Sequence, residues 1–463
     1  ISACLDKINT QACELARSIK ANDPINSWTI EGPIDSTYSL AILNRNFADS
    51  MSRVLSNLYI HITEGPGDYE PNISFLKRYS NIYSIYKKSI DKKEITEVVS
   101  RNLYPPRVRD LSSKFNILHS YGWEESEFPC QWVDEFNTYL QGITVMSTFV
   151  KKILIDNGVN IPINVSRLGL DHVDKIDINS NFNIEAKSYK ILHISSCFPR
   201  KGIDILLKAY GETFTNNDDI TLIIKTFDNP HNDIEDIING FRRSNPLFPH
   251  ILLIKEDLSD QQLKSILLQS DLLVSPSRGE GFGLPIGEAM RLGKPVITTN
   301  WGGQVDFCSE DNCWLLDYEF VRSSSHFGTD FSYWAEPSFK HLSFLLRHVY
   351  DMESSQLKEK VDSGFIKTKE FIWSNVAKQN IDFVNNKLTR YNNRYFKLGC
   401  VTTLNTHCGI ASYSKYLLEH IKEEIIFFTP VDENSNNKNT IPSWGPNTPF
   451  NDLTLLLEKV LAS

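Results

Sequence analysis

Two glutamates, Glu280 and Glu288, bracket the loop EGFGLPIGE, where the backbone is barest and a helix is about to begin. A carboxylate beside a phosphate is repelled, whereas beside sugar hydroxyls it accepts hydrogen bonds. Pro285 suits the first turn of a helix, because its missing N–H is not needed there. Gly293, with Pro295 just beyond, suits the helix end. The N-terminus of PIGEAMRL therefore points at whatever lies above Gly281 and Gly283, and helix N-termini favour anions. Glu280 precedes that helix and Glu288 lies one turn inside it, so both can face one ligand from different heights. The glycine spacing is not the dinucleotide fingerprint G-x-G-x-x-G. Taken alone, the loop also fits a glycine-rich turn beside two unrelated acids. A second stretch, CFPRKG, sets Arg200 and Lys201 where a strand hands over to a helix. Cations at that edge suit a diphosphate, although a Lys-Gly turn by itself is common.

The elements that must carry these groups alternate along the chain. WTIEGP reads as a strand and loop, followed by a helix to Met51; NILHSY and ITVMS read as buried strands, and FVKKILIDNG as a helix ended by Gly158. YKILHISS, ITLIIKTF, ILLIKED, DLLVSP and PVITT are further strands, with helices between them. Short apolar strands alternating with helices predict parallel sheets covered on both faces. The polar interval Asp177 to Ser188 is the expected hinge between two such domains. Ligands of doubly wound sheets bind at the carboxyl ends of strands, which here means the cleft between the domains. Lys369 to Tyr395 reads as one long helical segment. LGCVTTLNTHCGIASYSKYLLEHI then restarts as strand, loop and helix and loosely echoes the segment at Trp28, with Tyr413-Ser414 set against Tyr38-Ser39 at the helix head.

Together these motifs resemble the retaining glycosyltransferases of family four, in the bacterial polysaccharide (O-antigen type) mannosyl- and rhamnosyltransferase branch. The resemblance runs from about Trp28 to Tyr391. SPSRGEGFGLPIGEAMRLGKPVITTNWGG carries the family's Glu, seven residues, Glu signature, and HISSCFPRKGIDILLKAY its phosphate-binding strand and Lys-Gly turn; GPIDSTYSLAILNRNFA and HSYGWEESEFPCQW look like its N-terminal domain. The resemblance implies an α/β chain of GT-B fold, two Rossmann-like doubly wound parallel-sheet domains facing across a cleft. The expected division is a helical linker or end of a preceding domain at 1–25, an acceptor domain at 26–185, a nucleotide-sugar domain at 186–375 and a helix crossing back at 376–395. Residues 396–463 are expected to open a further, truncated glycosyltransferase-like domain.

The resemblance also implies roles. Glu280 would bond hydroxyls of the transferred sugar, Gly281, Phe282, Gly283 and Leu284 would hold the donor, and Glu288 would bind the ribose. Lys201 would bind the diphosphate. The family's second cation falls at Ser196 in this chain, which leaves Arg200 to compensate. Lys225 and the loop Glu256-Asp257-Leu258 would approach the phosphate and base, and Gly32 would face the diphosphate across the cleft. His119 and Glu124 are candidates for contact with the donor sugar, and Asp35 for contact with the acceptor. No Asp-x-Asp is present, so no metal site and no cofactor beyond the nucleotide sugar are expected; a helix dipole and cations can neutralise a departing diphosphate.

Bulk properties bound these readings. A chain of 463 residues exceeds one ordinary core. With 41% hydrophobic and 23% charged residues it reads as globular, and a net charge of −9 argues against nucleic-acid binding. None of the eight cysteines forms a Cys-x-x-Cys pair, so buried reduced thiols in a cytoplasmic protein are expected. The opening ISACLDKINTQACELARSIK reads as a helix already under way, as in a module cut from a multidomain polymerase. Lys77 to Lys93 interleaves basic residues with Tyr and Ile; it reads as a solvated helix face, with peripheral docking at the inner face of the membrane as the alternative. The expected reaction moves a hexose, mannose from GDP-mannose, onto a lipid-linked oligosaccharide acceptor, with dTDP-rhamnose and UDP-sugars open as donors. A degenerate sugar-nucleotide-binding module and a phosphorylase or epimerase on the same fold are the competing readings.

Overall fold

The computed structural model describes residues 25–91, 95–179, 181–229, 232–324, 331–388, 398–403, 409–418, 425–430 and 440–444. Residues 24–388 form one compact unit, and 1–23 with 389–463 form another. The expected helical linker thus falls, but for Ile25, outside the described residues.

Among the described residues, the larger unit holds two large sheets and a two-stranded one. The first lobe runs through β1 (Ser27–Gly32), α1 (Ser39–Met51), β2 (Asn57–Glu64), β3 (Gly67–Asp68), α2 (Ile73–Leu76), α3 (Ser80–Ile90), β4 (Val98–Arg101), β5 (Phe115–Tyr121), α4 (Cys130–Tyr139), β6 (Gly142–Val145), α5 (Thr148–Asp156) and β7 (Ile163–Val165). Its sheet order is β3-β2-β1-β4-β5-β6-β7. All neighbours are parallel except the short β2–β3 pair. Residues 166–188, which include the interval Asp177 to Ser188, lead to the second lobe.

That lobe runs through β8 (Tyr189–Ile194), α6 (Ile203–Thr213), β9 (Ile220–Lys225), α7 (Ile234–Ser244), β10 (His250–Ile254), α8 (Asp260–Gln269), β11 (Leu272–Ser275), α9 (Leu284–Arg291), β12 (Val296–Thr299) and β13 (Trp314–Leu316). Its six strands are all parallel, in the order β10-β9-β8-β11-β12-β13. Every residue of β5 and of β9 is buried, as a strand covered on both faces requires. Helices start where their caps predict: Ser147 caps α5, and Ser259 with Gln262 closes a reciprocal capping box on α8. Gly158 takes a positive φ just past α5, as expected of a helix end.

Four features differ from the sequence reading. An antiparallel hairpin, β14 (Tyr318–Arg322) with β15 (Tyr333–Pro337), follows β13 and was not foreseen. After α10 (Phe339–Asp351) and α11 (Ser354–Thr368), the segment expected to be helical from Lys369 becomes helical only at α12 (Trp373–Asp382), which runs on as a wider turn through Phe383–Leu388. Cys130 is exposed, while Cys197, Cys308 and Cys313 are buried; all are free thiols. In the smaller unit β16 (Leu398–Val401), α13 (Gly409–Leu418), β17 (Ile425–Pro430) and β18 (Thr440–Trp444) form a parallel three-stranded sheet with one helix. Tyr413 and Ser414 lie inside α13 rather than at its head, whereas Tyr38 is the cap residue of α1.

The basic segment contains α3, described as far as Asp91. Ile82 and Ile85 turn α3 into the core, and Lys87 and Lys88 lie over the rings of Tyr83 and Tyr59. No described helix is long and apolar enough to cross a membrane.

Candidate functional site

The strand β11 ends at Ser275, and the loop that follows turns into α9 at Gly283. That residue caps the helix with φ 85° and ψ 55°, a left-handed conformation costly for any side chain. Glu280 sits on this loop, only 8% exposed. Its Oε1 accepts from Lys201 Nζ at 2.6 Å and from Ser277 Oγ at 2.7 Å. Lys201 arrives from a single 3-10 turn, Pro199–Lys201, between β8 and α6. The two strand ends, 79 residues apart in sequence, thus bring an acid and a cation together at the mouth of a helix. Burial pushes the Lys201 ammonium down, as does the charge of Arg200, against the pull of Glu280. Burial by itself raises the Glu280 carboxyl, but Lys201 and Arg200 outweigh it and hold the group below its ordinary value.

The first lobe closes directly onto this loop. A side chain at Gly279 would place its Cβ 2.3 Å from the Glu124 carbonyl oxygen, so this close approach requires glycine. Ser147, the cap of α5, donates to the Gly281 carbonyl at 2.6 Å. Arg200 spans both lobes, with Nη2 3.0 Å from Glu124 and Nη1 donating to the Gly279 carbonyl at 3.2 Å. Thr37 donates to Asp257 at 2.9 Å and Tyr79 to Asp260 at 2.6 Å along another edge.

The other expected residues are placed as follows. Glu288 Oε1 is 2.9 Å from His172 Nε2, and His172 Nδ1 is 3.2 Å from Trp373 Nε1. An indole N–H can only donate, so Nδ1 accepts and Nε2 carries the proton given to Glu288. Lys225 ends β9, and its Nζ donates to the Thr226 carbonyl at 2.6 Å. Burial lowers its pKa, opposed by Asp257 and Glu256. Phe282 and Leu284 are buried, and Phe282 packs on Phe307 at 5.0 Å between ring centroids. The Ser196 carbonyl accepts from Asn229.

Gly32 closes β1 beside Asn44, whose amide donates to the carbonyls of Pro33 and Asn102, both at 2.9 Å. His119 has no exposed surface. Its Nε2 lies 2.8 Å from Asn44 Oδ1 and its ring stacks on Phe47 at 4.5 Å. Burial holds its pKa down at about 3, so the ring is neutral. Any contact with a bound sugar requires the packing around it to open. Asp35 is also committed: Tyr69 Oη and the Asn72 N–H each donate to it at 2.6 Å.

The loop therefore gathers Glu280, Lys201, Arg200 and Glu124; it does not gather His119 or Asp35. A cavity of about 500 Å³ lies in the first lobe, where the β4–β5 connection carries no helix. Tyr59, His61, Asp68 and Tyr86 are among its lining residues, and none of the expected donor or acceptor residues is. Sequence reasoning passed over Arg278, two residues before Glu280. Its guanidinium is 6% exposed and pairs with Asp204 and Glu336. Its place inside the quoted motif was the available signal, but partners 74 and 58 residues away are not readable from sequence. Among the described residues no group of three or more His, Cys, Asp or Glu side chains could hold a metal ion.

Residues 174–317 match the family described as Glycosyl transferases group 1. The chain is 24% identical over 242 residues to the O-antigen biosynthesis glycosyltransferase WclY of Escherichia coli, a match covering 49% of this chain and 64% of that one. It is 29% identical over 123 residues to the MMP alpha-(1->4)-mannosyltransferase of Mycolicibacterium hassiacum, covering 26% of this chain and 28% of that one. The chain thus spans less than two thirds of the length of either relative. Among solved structures, the sucrose-phosphate synthase of Thermosynechococcus elongatus superposes with a TM-score of 0.55 at 14% identity, covering 77% of this chain and 97% of that one. Anabaena HepE, solved in complex with UDP and glucose, gives 0.54 at 13% identity, covering 78% and 99%. Residues 174–317 are thus similar to the glycosyl transferases group 1 family, and the chain has the α/β, GT-B fold of those neighbours.

Proposed function

We propose that this chain is a retaining glycosyltransferase that moves a hexose from a nucleotide sugar to a hydroxyl of a polysaccharide acceptor. The observation that carries the reading is the buried Lys201–Glu280 pair at the N-terminus of α9. A diphosphate takes Lys201 and the helix N-terminus, and the sugar's hydroxyls take Glu280. Each partner of the pair thereby gains a substrate group of the matching kind. Glu288 binds the ribose hydroxyls, in competition with His172.

Retention follows from what the carboxylates are doing. An inverting reaction needs a general base opposite the leaving group, and a double displacement needs a carboxylate nucleophile at the anomeric carbon. Glu280 and Glu288 are assigned to peripheral hydroxyls, Asp35 is capped by Tyr69 and Asn72, His119 is enclosed, and Glu124 is paired with Arg200. The bond from the anomeric carbon to the phosphate oxygen breaks, and the bond to the acceptor oxygen forms on the same face. The acceptor's proton passes to the departing phosphate oxygen, leaving a nucleoside diphosphate.

Mannose from GDP-mannose is the first donor to test, in keeping with the name of the Mycolicibacterium relative. The UDP in the Anabaena neighbour makes UDP-sugars the next. The name of the Escherichia coli relative supports an O-antigen type acceptor, which in this scheme is carried on lipid. We further propose that the chain works in the cytoplasm, at the membrane surface. Transfer is metal-independent in this scheme, so activity survives EDTA; loss restored only by added manganese or magnesium in single-turnover transfer would contradict it.

A donor panel with mass detection of the sugar added to a synthetic lipid-like acceptor tests the reading, and proton NMR of the first product tests retention. A β-linkage from an α-linked donor would overturn the stereochemistry. One observation favours a second reading, a degenerate binding module: Arg200, the substitute for the cation missing at Ser196, is held by Glu124. Nucleotide binding without donor hydrolysis or transfer would select it.

A further inference from the structure

Arg278 lies two positions before Glu280, and its guanidinium is committed to protein partners on three sides. Nη1 and Nη2 fork onto Asp204 of α6 at 2.9 and 2.7 Å. Nη2 and Nε fork onto Glu336 of β15, the first at 2.7 Å. Nη1 also donates to the Pro199 carbonyl. Its backbone is used as fully: Arg278 N–H donates to the Arg200 carbonyl at 2.7 Å, and its carbonyl accepts from Ala335 N–H at 3.0 Å. One residue thus bonds the turn that carries Lys201, the first turn of the helix after it, and the hairpin β14–β15, two positions before Glu280.

The hairpin in turn grips the first lobe. Glu125, 4% exposed, accepts from Ser323 Oγ and Ser332 Oγ, both at 2.9 Å. Tyr333 N–H donates to Ser126 Oγ at 2.7 Å, and its carbonyl accepts from Ser126 N–H at 3.3 Å. A planar guanidinium with five donors in a fixed fork can hold two carboxylates and a carbonyl in one plane; an ammonium cannot.

We propose that Arg278 is a positioning residue that fixes Lys201 against Glu280 and ties that geometry to the docking of the hairpin on the first lobe. The ligand side of this inference rests on the donor-site reading above; the geometric side does not. Removing the fork frees the Pro199–Lys201 turn from the loop of Glu280, so Lys201 spends more time open to solvent.

Residue-resolved acetylation with an N-hydroxysuccinimide ester, read by peptide mass, tests the geometric side. Lys225, buried at the end of β9 with its Nζ bonded to the Thr226 carbonyl and not to the fork, is the internal control for global loosening. Arg278→Gln is expected to speed Lys201 labelling by about fivefold or more, the effect of losing roughly 1 kcal/mol of local stability, with Lys225 unchanged. Glu336→Gln keeps the shape, removes one arm of the fork and is expected to act in the same direction, so it carries the test if Arg278→Gln does not fold. Unchanged Lys201 labelling, or Lys201 and Lys225 rising together, overturns the proposal.

Calorimetry with GDP and UDP tests the ligand side. Arg278→Gln is expected to weaken nucleotide binding about tenfold in the parent, and by less than about twofold when Lys201→Ala is already present, because the two act through one contact. Full additivity would mean that Arg278 does not act through Lys201. Absence of nucleotide binding by the parent protein would refute the donor-site reading while the labelling still decides the positioning.

Discussion

The two lobes meet with opposite chemistry. At the strand ends of the second lobe stand Arg200, Lys201, Lys225, Arg278 and Glu280, most of them buried and paired. At the strand ends of the first stand Gly32, Asn102, His119 and Ser120, with Asn44 of α1 beside them, neutral groups bonded to one another, to neighbouring side chains or to backbone; the charge this lobe does bring is Glu124, held on Arg200. The first lobe has a buried ion cluster too, Arg101 with Glu31 and Asp110, but Glu31 and Asp110 line the cavity and not the loop of Glu280. A charged wall opposite a neutral one separates two tasks. In the proposed reaction the first binds a diphosphate and stabilises it as it departs. The second excludes water and admits a neutral alcohol, with its Glu124 engaged by Arg200.

The sharpest way to break this contrast is at Glu280. Glu280→Gln leaves Lys201 buried without its counter-charge and removes the acceptor for sugar hydroxyls. Turnover is expected to fall by about a hundredfold or more, with a smaller change in nucleotide affinity measured by calorimetry. Equal losses in both would move Glu280 from the sugar to the nucleotide. Lys201→Ala comes next. A charge-assisted hydrogen bond is worth roughly 1.5–3 kcal/mol, so affinity for the nucleoside diphosphate should drop about ten- to a hundredfold. Unchanged affinity would take the cation out of the site.

The neutral wall predicts a pH effect on stability rather than on chemistry. Burial holds His119 at about 3 and His193 at about 4, both below the ordinary 6.5. Below pH 6.5 the unfolded chain takes up protons that these rings in the folded chain refuse. Stability is therefore unpenalised above that pH and falls as pH drops toward each folded value, with a slope of about 1.4 kcal/mol per pH unit for each ring. Urea melts of the protein and of His119→Gln at pH 7 and pH 5 measure the first-lobe share. A kinetic pKa between 5 and 8 that vanishes in His119→Gln would instead make His119 part of the reaction. The smallest effect is expected at the exposed edge, where Thr37→Val removes the bond to Asp257; roughly 0.5–1 kcal/mol or less should be lost from the melt, and turnover should barely change.

Much of this architecture was legible because a parallel strand covered on both faces is an unbroken apolar run. ITLIIK could be nothing else, and β9 is buried throughout. Glu280, Glu288 and Lys201 were legible as a set because helix and strand ends are punctuated by Gly and Pro. What they touch was not. The sequence reading sent Lys201 to phosphate and Glu280 to sugar, and the structure pairs them with each other. Such pairings are set by strand order, not by neighbours in the chain. The hairpin escaped because three of the five residues of β14 are exposed and its strands pair only with each other, so no long apolar run marks it. The helix expected from Lys369 starts four residues late because 369–372 is used to bond back across the chain: Phe371 carbonyl accepts from Leu170 N–H, and Trp373 N–H donates to Asp171.

Those last bonds bear on movement. The chain crosses between the lobes twice, outward through 166–188 and back through 369–372 to α12, which packs on α1 of the first lobe. The two crossings are laced side by side: Gly169 lies against Trp373, and His172 joins Trp373 to Glu288. A door hung on two pins set close together swings about the line through them and resists sliding. The lobes are thus expected to part by rotation, with the widest travel at the far rim, where the hairpin and Ser126 meet, and the least at the jamb, where Glu288 keeps hold of the post.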